Sequence, residues 1–188
     1  MDAFSYLSVL LSIVLGLAIT QLLGGLAALV RARDRVKMYW PVPVQMAAVF
    51  LISLQLWWAL FSLNETRNWT FAAFLIVLLQ PVTVYLMAAF ITPDVPPEGE
   101  VDLRERYFRE TRWFFGSIVA ALVVSLAKSL VLWGALPNSI DLAGHAAFAI
   151  VALAGFFSRS STVHKVIAPL SLLLYSTYIA LLFVSLPR

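Results

Sequence analysis

The sequence predicts an all-α integral membrane protein, a six-transmembrane-helix bundle that occupies residues 1–188 as a single transmembrane domain. Three observations carry this. First, 62% of the 188 residues are hydrophobic and 12% are charged, against roughly 45–50% and about 25% in soluble domains. A soluble chain of this size leaves too much surface exposed to hide that excess, and disorder requires low hydrophobicity. Second, six stretches reach the roughly 20 apolar residues that a span needs. Third, Lys and Arg are concentrated in alternate loops.

Span one covers Phe4–Val30. It is too long and apolar for a removable signal peptide and lacks a basic start. Small residues recur at every fourth position: Ser8, Ser12, Gly16, Thr20, Gly24 and Ala28. In lipid, close backbone approach at small residues supplies contact between helices. The stripe reads either as packing within the bundle or as a helix-packing interface with a second copy or a membrane partner. Span two, Val42–Leu63, carries Gln55. Span three, Thr70–Thr92, has Gln80-Pro81 at its midpoint. Pro81 frees the carbonyl of Val77 and should kink the helix. Broken helices at mid-depth hold ions in transporters, while ordinary membrane helices also accommodate proline.

The connector 93–112 is Pro-rich and acidic in its first half. From Val101 it reads as a short amphipathic helix with Asp102/Arg106 and Glu105/Arg109 pairs at i,i+4. Val101, Leu103, Tyr107 and Phe108 would lie on the headgroups. This segment is either a solvated collar or a docking surface for a cytoplasmic partner. Span four, Trp113–Ala135, holds Lys128, the one ionisable residue clearly at membrane depth. Its ammonium either snorkels toward Trp133, pairs with Asp141, or faces a solute pathway. Ser117, Ala121, Ser125 and Ser129 form a shorter small-residue stripe. Span five, Asp141–Ser158, begins with a candidate capping aspartate, and His145 follows one turn later. Span six, Val166–Leu186, has Pro169 in its first turn and Tyr175-Ser176-Thr177-Tyr178 at mid-depth. Gln80 is a candidate partner for those hydroxyls. They act either as glue between helices or as the lining of a path.

Spans one and four both contain Ser-Ile-Val, at Ser12 and Ser117, and spans three and six align through Tyr85/Tyr178. A tandem three-span unit would give an inverted repeat. Loops one, three and five carry ten Lys and Arg residues, while the opposite side has Arg67 and Arg188. By the positive-inside rule those loops face the cytoplasm and both termini face outward, in a cell (inner or plasma) membrane. Tyr39, Trp40, Trp69, Trp113 and Trp133 fall at span ends, as an aromatic belt would.

Zero cysteines exclude disulfides, thiolate metal sites and cysteine nucleophiles. His145 and His164 fall at opposite faces, so they cannot share a haem or zinc. Phosphate loops, dinucleotide fingerprints and nucleophile elbows are absent from the sequence. The expectation is a non-enzyme with no cofactor, no metal and no nucleic-acid partner, since the basic residues serve topology. Two function classes remain. One is a small channel or transporter for an ion or solute, with Lys128, Gln80, Pro81, Tyr175, Thr177, Asp141 and His145 forming the transport pathway or polar pocket. The other is a non-catalytic membrane subunit that assembles with itself or a partner through the span-one stripe.

Overall fold

The computed structural model describes residues 3–66, 69–96 and 98–182. Arg67, Arg188 and the end of the sixth expected span lie outside these. Six helices are each long and apolar enough to cross a membrane: α1 (Ala3–Arg31), α2 (Pro41–Leu60), α3 (Phe71–Ile91), α4 (Leu103–Trp133), α5 (Ser139–Phe157) and α6 (Ser161–Leu182). Local chemistry starts and stops them. Pro41 opens α2, where its missing N–H costs nothing. The Thr70 hydroxyl accepts from the Ala73 amide at 3.1 Å and caps α3. Asp102 caps α4 by accepting from the amides of Arg104 and Glu105 at 2.9 and 3.2 Å. Asn138 caps α5 by accepting from the Asp141 amide at 2.9 Å, so Asp141 itself is not the cap. Gly134 ends α4 at φ +66°, a left-handed conformation that suits glycine.

Five helices form a closed ring. α2 packs on α3, α3 on α4, α4 on α5, α5 on α6, and α6 returns to α2. Helix α1 stands outside the ring against α3 and α2. It docks through Leu11, Leu15, Ala18, Leu22 and Leu29, all buried, with Gly25 in the same row. The alternating spacing of four and three is the seam of a left-handed coiled coil. Gly25 is tight: a Cβ there would run into Thr92 Cγ2 at the end of α3.

The span-one stripe takes the other face. Ser12, Gly16, Thr20 and Gly24 are exposed, and Ser8 and Ala28 are half-buried. A Cβ added at Gly16 or Gly24 meets nothing within 4 Å. Of the two readings of this stripe, packing within the bundle does not hold in the single chain. The span-four stripe behaves oppositely, with Ser117 and Ala121 buried. Spans one and four, aligned in sequence, thus hold different places, one outside the ring and one inside it.

The end that carries loops one, three and five is stapled. Strands β1 (Val36–Lys37) and β2 (Val101–Asp102) pair in parallel, Val36 opposite Val101. The Arg35 guanidinium donates to the carbonyls of Gly99 at 2.9 Å and Pro96 at 2.7 Å. Arg159 donates to the Phe108 carbonyl at 2.5 Å. The expected i,i+4 pairs give way to these ties. Asp102 meets Lys37 at 3.5 Å, Arg106 meets Asp94 at 3.5 Å, and Arg109 meets Glu110 at 3.7 Å. The amphipathic segment is also not a separate collar, because it is continuous with span four in α4. Val101, Leu103 and Tyr107 are buried against the protein instead of lying on headgroups. The Glu105 amide, helped by the Arg104 amide and Lys37, holds the Asp102 carboxyl below the usual carboxylate range.

Candidate functional site: a cavity enclosed by five helices

The ring encloses a cavity of about 490 Å³, lined by α2 to α6 and by no residue of α1. It runs from the α4–α5 turn, where Trp133 and Leu136 are exposed, to Gln45, Phe114 and Phe115 near the stapled end. Most of its wall is apolar. The polar groups fall at three levels.

The first level, near the α4–α5 turn, ties three helices together. Because Asn138 does the capping, the Asp141 side chain is free to turn inward. Its carboxylate accepts from the Tyr178 hydroxyl of α6 at 2.6 Å and lies 3.3 Å from His145 Nδ1. His145 Nδ1 also meets the Asp141 carbonyl at 2.8 Å, and Nε2 meets Ser125 Oγ of α4 at 3.0 Å. Two acceptors around Nδ1 keep a proton there, so in the neutral ring Ser125 donates to Nε2. Lys128 lines the cavity one turn from Ser125. Among the described residues it has no hydrogen bond and no ion pair within 4 Å, although the Asp141 charge acts on it. It faces the cavity and does not form the contact pair that was one of its three expected roles.

At the second level, Tyr175 donates to Gln55 Oε1 at 2.9 Å, joining α6 to α2. Gln80 Nε2 donates to the Ala121 carbonyl at 3.4 Å, and its Oε1 is buried with no partner. The expected partnership between Gln80 and the span-six hydroxyls is therefore not made, since Gln55 takes Tyr175. The third level is Gln45, 1% exposed, whose Nε2 also has no partner. Buried polar atoms are nearly always hydrogen-bonded, so two orphaned carboxamide atoms in one cavity wall mark places for water or a ligand.

Below Gln45 the cavity ends on packed aromatic rings. Phe115, fully buried, reaches both the cavity and His164, with centroids 5.5 Å apart. His164 is also fully buried and sits among Tyr107 and Phe108 at 5.3 and 5.0 Å. Its Nε2 donates to the Ser158 carbonyl at 3.1 Å, leaving Nδ1 to accept from the Tyr107 hydroxyl at 2.9 Å. Tyr39 completes the floor, with its hydroxyl 3.2 Å from Ser161 Oγ. Two expectations change here. Tyr39 is buried and not part of an interfacial belt, because its hydroxyl finds a protein partner. His164 belongs to the first turn of α6, not to a loop, since that helix begins at Ser161. Pro169 is consequently interior to α6.

No family model, curated protein or solved structure matches this chain.

Five of the seven expected pocket residues meet in the cavity: Lys128, Gln80, Tyr175, Asp141 and His145. Pro81 is buried in α3 but does not line it, and α3 runs through it as one helix. Thr177 is exposed on the outside of the ring. Gln45 and the aromatic floor were not singled out in sequence. A glutamine one turn inside a span was the available signal for Gln45, whereas the floor is assembled from three separate loop ends. Among the described residues, no group of three or more His, Asp or Glu side chains is placed to hold a metal ion.

Proposed function

We propose that this protein is a membrane carrier for a small solute, which binds in the five-helix cavity. Support comes above all from the cavity itself, because it combines an unpaired lysine with orphaned carboxamides behind an apolar wall. Its volume falls in the range of ligand sites, about 300–1,000 Å³. With loops one, three and five on the cytoplasmic side, the exposed end of the cavity faces outward and the aromatic floor faces the cytoplasm. A floor of packed rings is unlike the open bore of a channel and suits alternating access, in which one end parts only when the other closes. The decisive assay is flux in proteoliposomes of the purified protein, with ions, protons and small organic solutes, against empty liposomes and a Lys128→Met variant. Flux that the variant abolishes while folding normally is the expected result. Equal flux in the variant removes Lys128 from the pathway.

A second reading has its own observation. The outward-facing stripe of α1 offers close backbone approach to another helix, which fits a subunit that assembles with itself or a membrane partner. Gly16→Leu and Gly24→Leu should then reduce the mass of the detergent-solubilised assembly while leaving each chain folded. Unchanged mass in both variants argues against it.

A further inference from the structure

We infer that the solute is a small organic anion carrying an apolar midsection and a hydrogen-bond donor at its far end. The inference rests on the carrier reading of the cavity and names the class of its substrate. The free hydrogen-bond donors decide the sign. Asp141 is already engaged by Tyr178 and His145. Lys128 has no hydrogen bond or ion pair among the described residues. The Asp141 charge reaches Lys128 only through space, so the N–H donors of the ammonium are left to a ligand, and a carboxylate is the group that pairs with an ammonium best in a low-dielectric cavity. Between Lys128 and Ala121, α4 adds Ser125 and Leu122 to the wall, which Phe148 of α5 also lines; Ile118 and Val84 continue it about one turn beyond Ala121 and Gln80 on their helices. This stretch accepts a hydrocarbon or aryl body.

The far end is set by Gln80. Its Nε2 is held by the Ala121 carbonyl, which fixes the amide orientation and leaves Oε1 as a buried acceptor without a donor. A ligand hydroxyl or amine N–H placed there satisfies it. Ala121 precedes Lys128 by seven residues, about 10 Å of helical rise. The ligand is thus a monoanion whose donor lies on the order of 10 Å from its charge. A plain fatty acid lacks that donor, and a cation meets Lys128 at the entrance.

The chain has no cysteine, so a single introduced thiol reports on the cavity without further engineering. Ser129→Cys lines the cavity beside Lys128, and Leu132→Cys serves as a second position. Each variant is placed in phosphatidylcholine nanodiscs, and its labelling by a neutral, water-soluble methanethiosulfonate is timed by mass spectrometry. The probes are para-hydroxyphenylpropanoate, its uncharged amide, tyramine, and phenylpropanoate without the hydroxyl. We expect labelling in the absence of probe and protection by the hydroxylated anion at concentrations about tenfold below those needed for the amide or for phenylpropanoate, one charge-assisted or buried hydrogen bond each. Tyramine should not protect. A Lys128→Met background should remove the advantage over the amide, Lys128→Arg should keep it, and Gln80→Leu should remove the advantage over phenylpropanoate. Labelling with equal protection by the amide or tyramine, or with no protection at all, overturns the substrate class while leaving a water-accessible cavity. Protection by added phosphatidylglycerol alone assigns the anion site to a lipid headgroup and overturns a soluble substrate. Failure of both cysteines to label overturns the cavity as a solute site altogether.

Discussion

Two adjacent glycines should behave in opposite ways when a methyl group is added. Gly25 lies in the row by which α1 docks on the ring, and a Cβ there collides with Thr92 Cγ2. Thr92 is β-branched, so few rotamers are open to it, and it closes α3 directly beneath. Overpacking of this kind costs about 1–3 kcal/mol. Gly24 points away from the protein, and its Cβ meets nothing within 4 Å. Both substitutions gain about 1 kcal/mol from replacing glycine inside a helix. That gain cancels in the comparison, so Gly25→Ala should be less stable than Gly24→Ala by about 1–3 kcal/mol. For a chain of this length each kcal/mol moves the melting temperature by roughly 2–4 °C, giving a separation on the order of 2–12 °C. The six tryptophans allow this to be read by intrinsic-fluorescence melting in detergent. Thr92→Ser removes the colliding methyl and should restore Gly25→Ala relative to its own background, a coupling that a double-mutant cycle isolates. If Gly25→Ala melts at or above Gly24→Ala, α1 does not dock on α3 through this face.

Other perturbations test the floor and the staple. Gly155→Ala would set a Cβ 2.5 to 2.6 Å from three atoms of the Phe115 ring. That ring is fully buried against Phe114 and His164 and cannot retreat freely, so overpacking of about 1–3 kcal/mol against a helix gain of about 1 kcal/mol should leave the variant up to about 2 kcal/mol less stable. A melting temperature equal to that of the parent would mean that the floor is loosely packed. Asp102→Ala removes the α4 cap and should cost about 0.5–2 kcal/mol. Because the folded-state carboxyl titrates below its usual range, its contribution is present above the unfolded-state value near ~3.9 and is lost as pH falls through the lower folded-state value. Acid melts of parent and variant should therefore converge at low pH, and a gap that persists there would show that the carboxylate charge is not what stabilises the cap.

Much of this architecture was legible because lipid imposes a simple rule. Twenty apolar residues mark a span wherever they occur, and all six spans came from that count. Helix ends were less legible. Leu103–Arg112 is polar enough to read as a loop helix, yet it continues into α4 because Leu103 and Tyr107 have protein to bury against. The inward polar groups were largely recoverable, since Lys128, Gln80, Asp141, His145 and Tyr175 are costly anywhere but in a cavity or at an interface. Which face of a membrane helix turns inward was not recoverable. Both faces of α1 are apolar, so the small residues stood out in sequence while the leucine seam that packs did not. The partner of each buried amide depends on the order of helices in the ring, which no local pattern records. That is why Gln55 rather than Gln80 meets Tyr175.

The closed aromatic floor also has an electrical consequence. On the carrier reading, water held by the few polar groups of the cavity carries the potential of the open side to the depth of Gln45. The transmembrane voltage then falls mainly across the layer of Tyr39, Tyr107, Phe108, Phe115 and His164 instead of across the full hydrocarbon thickness. A charge that settles beside Lys128 has crossed little of the field, whereas a charge that leaves past His164 crosses most of it, at about 2.3 kcal/mol per elementary charge per 100 mV. Occupancy of the cavity would be nearly indifferent to membrane voltage, and passage through the floor would be the voltage-dependent step.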